Sequence, residues 1–189
     1  MLFKSLLSLA ALAASVSAVA LKPGGPGAET SRHAGRGGVG VGQCLCQADA
    51  DKLTAAYLRM IGGWNDADAK YLSDSGFKDM SDSINILAGV PLGTVIFPTK
   101  QAFIDHQHVA PDNLPLTVTF ATFNCEYISL IWTAKPGPPS PDQLIVRGIT
   151  ILGATKSNAK FWQIKSIDME MNSIAFLKDI GGSYTLPGQ

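Results

Sequence analysis

The sequence predicts one α+β domain, and three observations carry that reading. Apolar residues recur at helical spacing from Gln47 to Ile61, whereas the chain after Pro115 is dominated by strand-like runs of Val, Ile, Thr, Phe and Trp. The 189 residues are 46% hydrophobic and only 16% charged, enough apolar matter for a single packed core. Helices gathered ahead of long strands mean helices packed on one face of an antiparallel sheet.

The first segment has the form of a secretory signal peptide, residues 1–20. Met1-Leu2-Phe3-Lys4 gives a short positive start, and Leu6 to Val16 is an apolar run too short to span a bilayer. Small residues follow, with Val16-Ser17-Ala18 or Ala18-Val19-Ala20 as cleavage sites. Residues 21–43 hold eight glycines and two prolines and read as a flexible linker or trimmed pro-segment. A secreted, extracellular protein follows, with no membrane contact after cleavage.

The folded part is expected over residues 44–184, ahead of a short tail, 185–189. Leu53, Ala56, Tyr57, Met60 and Ile61 mark the first helix, which ends at Gly62-Gly63. A second short helix runs from Asp66 to about Leu72. Phe77 to Leu87 alternates loosely and reads as a strand or irregular edge. Pro98 opens a third helix, where a missing N–H costs nothing. Four strands are expected: Leu116 to Phe123, Glu126 to Ala134, Gln143 to Leu152 and Lys160 to Met171. The proline-dense loop Pro136 to Pro141 and a turn over Gly153 to Asn158 join them, and Asn172 to Ile180 reads as a closing helix before Gly181-Gly182.

Export makes the three cysteines informative. Cys44 and Cys46 are too close to bridge without strain, so Cys125 pairs with one of them. Cys44 is favoured, because Cys46 stands where a helix N-cap is expected. Such a bridge closes about 80 residues, worth roughly 4 kcal/mol in the chain-entropy model. A zinc site lacks a fourth ligand at any recognised spacing, so neither metal nor cofactor is expected. The 15 basic and 15 acidic residues balance, but from residue 44 onward 11 basic face 14 acidic, a net of about −3. That domain has no basic footprint for a phosphate backbone, which excludes nucleic acid as a partner.

Four stretches carry a resemblance: Asp79-Met80-Ser81-Asp82-Ser83-Ile84-Asn85, Phe103-Ile104-Asp105-His106-Gln107-His108, Arg147-Gly148-Ile149-Thr150 and Trp162-Gln163-Ile164. With the helix–helix–helix–sheet order, the chain resembles the secreted fungal branch of the nuclear-transport-factor-2-like superfamily. The resemblance implies a cone, in which a strongly curved antiparallel sheet wraps three N-terminal helices around a pocket and a short C-terminal helix closes the chain. Relatives of this shape include scytalone dehydratase, ketosteroid isomerase and polyketide cyclases, beside non-catalytic binding and dimerisation modules. Their pocket acids and bases come from regions that here offer Asp79 and Asp82, then His106 and His108, then Trp132 and Asp168.

Each candidate has a functional and a structural reading. His106 lies three residues beyond Phe103, near the buried side, and is either a general acid/base or a helix-end hydrogen-bonder. His106 and His108 point about 200° apart on a helix and cannot share a metal. If the segment around Asp79 is a strand, Asp79, Ser81 and Ser83 share one face; an inward Asp79 would be desolvated and its pKa raised. The bland reading makes these residues turn and cap formers. Asp168 falls in line with Trp162, Ile164 and Ser166, on a pocket wall or on an outer face paired with Arg147 or Lys165. Tyr57, Trp64 and Trp132 are candidate pocket walls or plain core.

The leading expectation is a binder of a small, mostly apolar ligand in the cone. A lyase or isomerase would instead use His106 or Asp79 as base, with Tyr57 or Asp168 assisting. A third reading is a homodimer through the sheet, or a host-interaction module, since Ile145, Arg147, Ile149 and Ile151 against Val146, Gly148, Thr150 and Leu152 leave both faces apolar.

Overall fold

The computed structural model describes residues 44–110, 114–156 and 160–185. The signal peptide and linker expected over 1–43 lie outside the described residues, as do residues 186–189 of the tail. The chain runs α1 (Gln47–Gly62), a 3-10 helix (Asp66–Tyr71), β1 (Lys78–Met80), α2 (Asp82–Ala88), β2 (Val95–Phe97) and α3 (Lys100–Gln107). The strands β3 (Thr117–Phe123), β4 (Tyr127–Ala134), β5 (Val146–Thr155) and β6 (Gln163–Met171) follow, and α4 (Ser173–Asp179) closes the domain. The six strands form one curved sheet in the order β2-β1-β6-β5-β4-β3, the α+β architecture expected of the cone.

Strand alternation decides what enters the core. Along β4, Ile128, Leu130, Trp132 and Ala134 are buried while the residues between them are more exposed. On β5, Val146, Gly148, Thr150 and Leu152 face in, and Arg147, Ile149 and Ile151 face solvent. Leu53, Ala56, Tyr57 and Met60 of α1 and Phe103 of α3 fill the concave side. Trp132 and Tyr57 are each about 2% exposed, so the middle of the cone is packed with protein. Gly148 is required there, because a Cβ at that position would overlap the Trp132 ring.

Cys44 and Cys125 form the disulfide, and the Leu45 N–H donates to the Cys125 carbonyl at 3.1 Å. Cys46 is the N-cap residue of α1, exposed and free, with its Sγ 3.2 Å from Asp49 Oδ2. Arg59 of α1 grips buried Asp68 through Nε at 2.9 Å and through a terminal nitrogen at 2.7 Å. That fork fixes the 3-10 helix against α1.

Four expectations change. The stretch from Phe77 to Leu87 is a three-residue strand followed by a helix, so Asp79, Ser81 and Ser83 do not share a strand face. Ser81 caps α2 by accepting from Ile84 N at 3.1 Å, and the Glu170 carboxylate accepts from Asp82 N at 2.7 Å and Ser83 N at 2.9 Å. The sheet is not wholly antiparallel, because β1 runs parallel to β6. Strand β5 starts and ends three residues later than expected, and Gly153 lies within it. Finally, Gly153 pairs with Ser166 but Ala154 with Ile164, leaving Lys165 as a bulge. The bulge reverses the alternation, so Ile164 faces in while Asp168, opposite exposed Ile151, faces out.

Candidate functional site

Pairing across the sheet sets two neighbouring rows on its concave face. One runs Ile128, Leu152, Ile167, Asp79 and Phe97; the next runs Leu130, Thr150 and Met169. The short parallel strand β1 exists at this place because Lys78 to Met80 align on Ser166 to Asp168. It carries Asp79 inward beside apolar partners on both sides.

Asp79 is 8% exposed, and among the described residues no side-chain hydrogen bond reaches its carboxyl. Burial pushes its pKa well above the ordinary carboxylate range, and the negative charge of Asp168 adds to the shift. In its neutral form, which burial favours, a carboxyl is a hydrogen-bond donor as well as an acceptor.

The adjoining row is satisfied. Trp132 Nε1–H donates to Thr150 Oγ1 at 2.9 Å, and the Tyr57 hydroxyl lies 3.0 Å from the same oxygen. All three side chains are buried. Burial raises the Tyr57 pKa, and the Asp79 charge adds to the rise, so the phenol stays protonated. Thr150 was not singled out from the sequence as a site residue. Its signal was a lone hydroxyl at an inward position between Gly148 and Leu152.

Among the described residues, the remaining candidates make no side-chain hydrogen bond to this group. His106 is half-buried with its ring 4.9 Å from that of Phe97, and burial lowers its pKa. His108 pairs with Asp66, Nε2 to Oδ1 at 2.7 Å, and Trp64 Nε1–H donates to that oxygen at 2.8 Å. These two hydrogen bonds hold the Asp66 carboxyl below its usual range. Trp64 also meets Phe103 edge-on at 6.2 Å, so it braces α3 against the exit of α1. Asp168 is exposed on the convex face, opposite the side on which Tyr57, Trp132 and Asp79 meet. Asp82 accepts from Gly93 N at 2.6 Å and serves the loop after α2. Among the described residues no group of three His, Cys, Asp or Glu side chains is placed to hold a metal.

A family model described as an NTF2-like domain matches residues 43–183. No curated protein matches the chain at significance. Among solved structures, a hypothetical protein from Catenulispora acidiphila with a ketosteroid isomerase-like fold, in complex with trimethylamine, is 13% identical with a TM-score of 0.53. The match covers 71% of this chain and 98% of that one. A putative SnoaL-like polyketide cyclase from Shewanella denitrificans is 9% identical with a TM-score of 0.51, over 69% of this chain and 96% of the other. At these identities the likeness concerns the fold alone.

Proposed function

The chain belongs to the NTF2-like domain family, and from that premise we propose that it is an exported protein binding a small, mostly apolar molecule inside the cone. The observation that carries this reading is the unpartnered Asp79 carboxyl, buried on an apolar row of the concave face. A carboxyl whose neutral form is favoured by burial, with no side-chain partner among the described residues, suits a ligand bearing one hydrogen-bond acceptor, such as a carbonyl, against an otherwise apolar body. The Tyr57 hydroxyl, tied to Thr150 of the adjoining row, is itself buried and partnered. Met169 and Met171 stand next along the same face of β6, half-buried, and their flexible thioethers yield space to the ligand. The Cys44–Cys125 disulfide agrees with an oxidising compartment.

The test is titration with a neutral aromatic ketone, 2-acetylnaphthalene, followed by calorimetry and by the shifts of the Asp79 and Met169 resonances. Saturable binding is expected, weakened at least tenfold in Asp79→Leu and as pH rises through the raised Asp79 pKa. No saturation, or binding indifferent to Asp79→Leu and to pH, would remove the cone as the ligand site. Turnover of the ketone at its α-carbon would move the reading toward an isomerase or lyase with Asp79 as base.

A second reading rests on the convex face. Phe120, Ile131 and Ile149 form one row across β3, β4 and β5, and Ile151 extends it. Phe120 is 55% and Ile149 49% exposed, and Arg147, Asp168 and Glu170 border them. Such a patch fits a homodimer through the sheet. Sedimentation would then show a dimer that Ile149→Glu splits into monomers; a monomer mass at every concentration removes it.

A further inference from the structure

The sheet has an open margin at β3. That strand is last in the order and, among the described residues, is hydrogen-bonded on one side only, to β4. Its sequence, Thr-Val-Thr-Phe-Ala-Thr-Phe, carries no charge and no proline, the residues that ordinarily guard an edge. The opposite margin, β2, offers only three residues. Thr119 is a bulge that bends the first half of β3, because Val118 pairs with Trp132 and Phe120 with Ile131. From Phe120 to Phe123 the register on β4 is regular, so alternate residues turn their N–H and C=O groups outward in an even row.

A surface cleft of about 240 Å³ lies beside that row, between β3 and the first half of α1. Ala121, paired with inward-facing Leu130, lines it from the strand, and Ala50 and Thr54 line it from the helix. Asp51 lies in its wall, where its carboxylate accepts from the Gln47 amide at 2.7 Å, and among the described residues no basic side chain lines the cleft. Free main-chain groups on one side and an acidic cleft on the other describe the two halves of a strand-docking site: the edge supplies pairing, and the cleft reads alternate side chains.

We propose that the β3 edge accepts an extended peptide segment of a partner protein as a seventh strand, with a basic side chain of that segment seated in the cleft against Asp51. The partner segment is uncharged apart from that residue, since exposed Phe120, outside the cleft, meets its other face. This surface is separate from the interior ligand position and does not depend on it.

The test uses the full chain with the probe acetyl-Thr-Val-Lys-Val-Thr-amide, read by amide hydrogen exchange. The expected result is at least tenfold slower exchange within Phe120–Phe123, saturating with peptide. The same peptide N-methylated at alternate amides gives no protection, because it cannot pair. Asp51→Lys, an exposed change that leaves the core untouched, weakens the protection at least fivefold. No slowing at millimolar peptide overturns the proposal, as does protection indifferent to N-methylation or to Asp51→Lys. Protection of β3 that grows with protein concentration without peptide also overturns it, and assigns the edge to a second copy.

Discussion

Thr150 and Asp79 stand in neighbouring rows of the same concave face, and both are buried, yet the fold treats them differently. The Thr150 hydroxyl is bonded by Trp132 and Tyr57, so burial leaves none of the three polar tips unpaired. Asp79 has Ile167 and Phe97 as sheet neighbours and no side-chain hydrogen bond among the described residues. The first group is explained by the fold itself, since a satisfied buried network fixes one packing arrangement. The second has no side-chain hydrogen bond among the described residues to account for its place, and burial disfavours its charge. Polar residues inside this cone are therefore sorted by partnership rather than by depth.

The largest effect is expected from Gly148→Val. Any Cβ there displaces the Trp132 indole and pulls its N–H from Thr150. A loss of about 3 kcal/mol in urea unfolding is expected; a loss under about 1 kcal/mol would show that the indole is not seated as described. Thr150→Val keeps the shape but leaves the Trp132 N–H and Tyr57 hydroxyl facing a methyl group. About 2 kcal/mol should be lost, and a neutral result would erase the contrast with Asp79.

Asp79→Leu has the opposite sign. It removes an unpaired polar group and should stabilise the ligand-free protein by about 1–3 kcal/mol at pH 7. The pH profile sharpens this. A carboxyl whose folded pKa is raised contributes stability that is whole below its unfolded pKa, about 4, and is lost as pH climbs through the folded value. Wild-type stability should thus fall above about pH 4 with a slope that Asp79→Leu abolishes. Parallel profiles for the two proteins would mean that Asp79 has found a partner. The smallest effect belongs to the exposed His108–Asp66 pair, where His108→Gln should leave the urea midpoint essentially where it is in the wild type.

Much of the fold was legible from local pattern. Helix α1 was written in Leu53, Ala56, Tyr57 and Met60, and all four long strands in their runs of β-branched and aromatic residues. The count of cysteines left Cys44 or Cys46 as the partner of Cys125, the expected N-cap role of Cys46 favoured Cys44, and the structure has that pair. Asp79 was legible as a candidate, but for a partly mistaken reason: its strand is three residues long, and Ser81 and Ser83 belong to the cap and first turn of a helix. Helix α2 was hidden because it is short and its opening is satisfied by Glu170, 88 residues away from Asp82.

The sequence by itself determined the class of the domain, its helices-then-strands order and the pairing of Cys125 with one of the two cysteines ahead of α1, Cys44 being favoured. These depend on residue type and on periods of two and 3.6, which neighbours along the chain are enough to set. The tertiary structure alone decided which side chains meet. A single unpaired residue, Lys165, reverses the face of everything after it, sending Asp168 outward while the parallel pairing of β1 brings Asp79 in. No local pattern encodes that outcome, because a bulge is defined by the partner strand and not by the strand that contains it.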